Sequence, residues 1–143
     1  MKTAVKIALA VLMGCGALLL VLGIVIWTGN GDQLIPVHIG FGIVLVLSLW
    51  TIAAIGARAG VASGTVALAV AWGLLVVVLG LAQEELLPGS WHWTIQVLHL
   101  AISMGAIWWG RRLLRLIAIA ERPVDSPRLV PGPRVTTSGT GST

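Results

Sequence analysis

The chain has 143 residues, of which 57% are hydrophobic and only 10% charged, and its mean hydropathy is +1.00. That balance excludes an ordinary soluble domain and points to an integral membrane protein. Most of the cations gather at span ends on one side, so the net charge of +4 describes one face of the protein and gives no hint of nucleic acid.

The first apolar run, Ala4 to Trp27, follows Lys2 and Lys6. It is long enough to cross a bilayer core, which needs about 20 residues of helix, and no A-x-A-like site follows it, so it reads as a span rather than a cleaved signal peptide. Within it, LMGC ending at Cys15 loosely resembles a lipoprotein box. The residues after it stay apolar where a lipoprotein would begin its polar tether, and a small buried thiol is the reading adopted.

The second run, Leu34 to Ile55, opens with IPVHIGFGIV, which sets an ionisable imidazole, His38, a turn or so into the membrane. Intramembrane polar groups are costly and are functional by default. Gly40 and Gly42 follow, and Gly42, one turn below the imidazole, would let a helix or a flat ligand approach closely. In the third run, Val61 to Ala82, Gly73 and Gly80 read as helix contacts, while Trp50 and Trp72 read as packing rather than electron relays.

The fourth run, Trp93 to Trp109, carries His92, Gln96, His99 and Ser103 at steps of four, three and four, which keeps all four on one polar stripe of a helix. That stripe must face the bundle interior. Trp91 and Trp93 read as an interfacial belt. After GRRLLRLIAIAE, which keeps helical character past the membrane surface or along it, the composition turns to Pro, Ser, Thr and Gly. Residues 121–143 are therefore expected to form a disordered cytoplasmic tail beyond a transmembrane domain spanning residues 1–120.

Short connections make sequential helices antiparallel, so the expected fold is an all-α, transmembrane four-helix up-down-up-down bundle. Lys2, Lys6, Arg58, Arg111, Arg112 and Arg115 then share one side, and Asp32, Glu84 and Glu85 the other. Cations favour the cytoplasm, which puts both termini there, in a bacterial-type inner (plasma) membrane.

His38 and His99 thus lie on parallel helices, each in the outer half, which is the arrangement of a bis-histidine haem site. His38 and His99 are the expected metal ligands. Gln96, His92 and the indoles of Trp91 and Trp93 are placed to meet haem propionates, and backbone carbonyls or Ser103 to accept from the second ring nitrogen. Depth leaves an alternative open. Arg58 follows His38 by twenty residues but Arg111 follows His99 by twelve, so by the cationic ruler His92 matches His38 better. The interfacial tryptophans favour His99.

These spans resemble one four-helix half of the haem A synthase family. VLHLAIS around His99 is similar to that family's fourth-helix motif, His38 sits where its second-helix ligand sits, and TGNG after the first span is similar to its loop. The resemblance implies a haem held between the second and fourth helices. The family's catalytic half has a glutamate and an arginine where this chain has Ile35 and Ile39, so the oxidising chemistry is not implied.

No nucleophile and base pair, phosphate loop or carboxylate cluster appears, and the spans contain no carboxylate to suit a proton or ion pathway. The functional expectation is a small b-type cytochrome carrying haem b, more a non-catalytic electron carrier or redox sensor than an enzyme. Its expected partners are the lipid bilayer and a larger redox complex or a quinone. The competing expectation is a cofactor-free structural subunit of a larger membrane complex, with its histidines hydrogen-bonded between helices.

Overall fold

A computed structural model describes residues 2–29, 31–83, 85–87 and 89–121. They form four helices, α1 (Lys2–Trp27), α2 (Ile35–Arg58), α3 (Ser63–Ala82) and α4 (His92–Ala120), with a single 3-10 turn, Asp32–Leu34, ahead of α2. No strand occurs among the described residues. The expected tail from Arg122 onward lies outside the described residues, as does Glu84.

Helix boundaries follow local chemistry. Pro36 sits in the first turn of α2, where its missing N–H breaks no intrahelical bond. At the other end Gly60 takes φ of +84°, and Val61 N–H donates to the Gly56 carbonyl at 3.0 Å while Gly60 N–H donates to Ala57 at 3.2 Å. That is a Schellman closure, and it turns the chain back within a few residues. The segment GRRLLRLIAIA, which begins at Gly110, continues α4 without interruption to Ala120.

Contacts between helices fix their directions. Gly16 of α1 faces Leu45 of α2 and Ile107 of α4, and Gly110 of α4 faces Leu12 and Ile52. Gly56 of α2 faces Ile117, and on α3 Gly80 meets His99 while Trp72 meets Gly105. Neighbours in sequence therefore run antiparallel, and α2 and α4 run parallel, giving an up-down-up-down bundle. Helices α2 and α4 pack directly on each other, α1 and α3 flank that pair, and α1 does not touch α3.

The α2–α4 contact is a pair of matching seams. On α2 the inward positions are His38, Gly42, Leu45, Leu49, Ile52 and Gly56. On α4 they are His99, Ser103, Ala106, Gly110, Leu113 and Ile117, with the same alternation of four- and three-residue steps. That period keeps one stripe of each helix on its partner, as in a coiled coil. Leu45, Leu49, Ile52, Ala106 and Leu113 are essentially inaccessible.

The core occupies the end of the bundle that carries Lys6, Arg58 and Arg111. There Val5, Ala8, Leu12 and Cys15 of α1 pack against both seams, and Cys15 is a buried free thiol. Two indoles tie the helices at mid-height. Trp50 Nε1–H donates to the Val70 carbonyl at 3.1 Å with its ring over Gly73, and Trp72 Nε1–H donates to Ile102 at 2.8 Å with its ring over Gly105. In each case the acceptor lies three residues before the glycine, whose missing side chain admits the ring.

Helices α1, α2 and α3 are long and apolar enough to cross a membrane, within Thr3–Trp27, Asp32–Arg58 and Ser63–Ala82. Helix α4 is not in that group: its length is ample, but its arginines and polar stripe lower its hydropathy.

Candidate functional site

Toward the other end the packing changes. No residue of α2 before Leu45 is buried, none of α1 after Gly16, and on α4 before Ala106 only Ile95 is. The polar stripe of α4 opens into this looser half. It faces inward as its spacing required, because its positions continue into the buried seam of the same helix.

His38 and His99 are level with one another. The register that pairs Gly56 with Ile117 runs back along both helices to pair His38 with His99, whereas His92 lies two turns higher. Each ring also rests near a glycine of the neighbouring helix. A Cβ built on Gly23 of α1 would stand 3.6 Å from His38 Cε1, and one on Gly80 of α3 only 2.9 Å from His99 Cε1.

Neither ring makes a hydrogen bond to a described residue. Nδ1 of each is buried without a partner, so the nitrogen left accessible is Nε2. This corrects one expectation: no backbone carbonyl accepts from either Nδ1, and Ser103, half-buried one turn below His99, does not either. The helical carbonyls nearby are already used by the helix, and Ser103 is a full turn away along the same stripe.

The other candidate residues lie along the stripe or beside it. Gln96 is half-buried on the same stripe, above His99. His92 begins α4, with Nδ1 3.3 Å from the Leu86 carbonyl, an arrangement that requires the proton on that nitrogen. Trp91 and Trp93 are exposed, as an interfacial belt would be. Gly42 has no neighbour within 4 Å of a built Cβ, so the space beneath His38 is open. Two features were not anticipated from sequence: Gly23 beneath His38, and Thr94 Oγ1, a third buried polar atom without a partner.

These residues fit a haem. Two level imidazoles on adjacent parallel helices each offer an unengaged nitrogen, the surrounding helices are apolar, and Gly42 leaves room beside one ring. Among the described residues no three His, Cys, Asp or Glu side chains gather as a metal cluster. A bis-histidine iron needs only two protein ligands, so that criterion does not bear on it.

No protein-family model, curated protein or solved structure matches the chain.

Proposed function

We propose that the chain is a small b-type cytochrome of a bacterial-type plasma membrane, with α4 as a fourth span, both termini cytoplasmic, and haem b held by His38 and His99 near the outer face. The observation that carries this reading is the pair of level imidazoles with no hydrogen-bond partner. Histidines that merely tied helices together would be expected to bond across them, so their lack of partners favours a ligand role over the cofactor-free scaffold.

Bound there, haem would supply a one-electron couple. His38 and His99 would fix it between α2 and α4, and Gly42 would admit its face. Gln96 and His92, on the outer continuation of the stripe, would meet its carboxylates. Ile35 and Ile39 can neither accept nor donate a proton, which argues against oxidation of the porphyrin and for outer-sphere electron transfer to a redox complex or a quinone.

The test is a reduced-minus-oxidised absorbance spectrum of the full chain purified in mild detergent after expression with ample haem. A low-spin b-type spectrum is expected, unmoved by carbon monoxide. His38→Ala and His99→Ala should each abolish it and His92→Ala should keep it. Wild-type protein without porphyrin absorbance would overturn the reading, and recovery of a hydroxylated or formylated haem would overturn its non-catalytic part.

A further inference from the structure

The face of α4 opposite its seam has its own pattern. Trp108, Arg112, Arg115 and Ile119 follow one another at steps of four, three and four, and all are exposed, with Trp108 at 54% and Ile119 at 60%. An arginine pair is thus bracketed by exposed apolar side chains. The register also places Arg112 level with Thr51, about two turns short of Arg58 at the end of α2. Along the bundle axis Arg112 therefore lies closer to the histidine end than Arg58 does.

The Arg112 side chain does not run toward the basic end. Its guanidinium lies 5.3 Å from the Trp108 ring centroid and 5.7 Å from that of Trp109, and the two indoles meet edge to face at 81°. Stacking holds the cation in place without neutralising it. No described carboxylate pairs with Arg111, Arg112 or Arg115, and Glu121 follows Ile117 by one turn on the seam side. Two unpaired guanidiniums beside exposed apolar surface suit an anionic counter-ion, and that surface suits acyl chains.

The geometry points to a binding site for an anionic phospholipid on the outward face of α4, its headgroup phosphate held by Arg112 and Arg115 and its chains lying along Trp108 and Ile119. This site is independent of the histidine pair. Arg112 contributes a planar, pre-oriented fork and Arg115, one turn on, a second.

Native mass spectrometry of the full chain, titrated with phosphatidylglycerol or phosphatidylcholine, tests it. The anionic lipid should bind roughly tenfold or more tightly, since each arginine near the surface contributes about a factor of five. Arg112→Ala with Arg115→Ala should remove the preference, and Arg58→Ala should retain it. Should the double variant fold poorly, quenching decides on the wild type: brominated phosphatidylglycerol should quench tryptophan emission more than brominated phosphatidylcholine. Equal binding of both lipids, a preference that survives in the folded double variant, equal quenching, or displacement of the lipid by inorganic phosphate would each overturn the site. So would a change of oligomeric state in the double variant, which would assign this face to a protein partner.

Discussion

The two halves of the bundle put the same helical spacing to different uses. In the basic half the seams of α2 and α4 hold Leu45, Leu49, Ile52 and Leu113, closed by α1 through Leu12. In the histidine half the same stripes hold His38, Gly42, His99 and Ser103, and no seam position there is buried. Lipid is as apolar as a core, so tight packing rather than escape from water holds the first half together. The second half gives up that packing and keeps unpaired nitrogens. A helical seam can thus specify alignment at one end and an open polar site at the other, with no change of period.

The contrast breaks most readily at the mid-height ties. A Cβ on Gly105 would lie 2.5 Å from the Trp72 ring, so Gly105→Ala must displace the indole and its bond to Ile102. Overpacking and the lost hydrogen bond together should cost about 2–4 kcal/mol, read from unfolding in mixed detergent micelles followed by circular dichroism. Next, Ile52→Ala should cost about 1–3 kcal/mol, chiefly the cavity contribution, whereas Leu98→Ala, exposed in the histidine half, should stay within about 0.5 kcal/mol. Comparable losses from the two truncations would remove the distinction between the halves.

The glycines beneath the imidazoles sharpen it further. Gly80→Ala must push the His99 ring aside, while Gly23→Ala meets His38 at ordinary contact distance. Haem affinity should fall about tenfold in the first variant, the order of one lost kcal/mol or so, and hold in the second. Equal effects would mean that ring placement does not depend on these contacts. The smallest change has the opposite sign: Gly42→Ala enters open space in a helix and should stabilise the apoprotein by about 0.5–1 kcal/mol in the same unfolding measurement. Gly42→Leu, by filling that space, should lower haem occupancy while still inserting in the membrane.

The helices were legible because apolar runs bounded by glycine, proline and charge leave little choice: Val61 to Ala82 became Ser63–Ala82, and Ala4 to Trp27 became Lys2–Trp27. The inward aim of the His92–Ser103 stripe was legible for a similar reason, since three- and four-residue steps define a face. Alignment between helices was not. The cationic ruler favoured His92, but it assumes that every arginine lies at the membrane surface, and Arg112 lies two turns short of the level of Arg58. Gly23 went unnoticed because nothing within α1 marks it; only its pairing with α2 does. Bulk alone identified Trp50 and Trp72 as packing residues, whereas their carbonyl acceptors depend on the glycines of the facing helix.

Those acceptors bear on how the molecule is put together. Both indole ties involve α3, one joining it to α2 and the other to α4, and no described side chain of α1 hydrogen-bonds to another helix. Among the described side chains, then, α1 is held to its neighbours by packing alone. Where Gly23 lies against His38 thus depends on how well α1 packs on α2, and not on a side-chain hydrogen bond that fixes its depth.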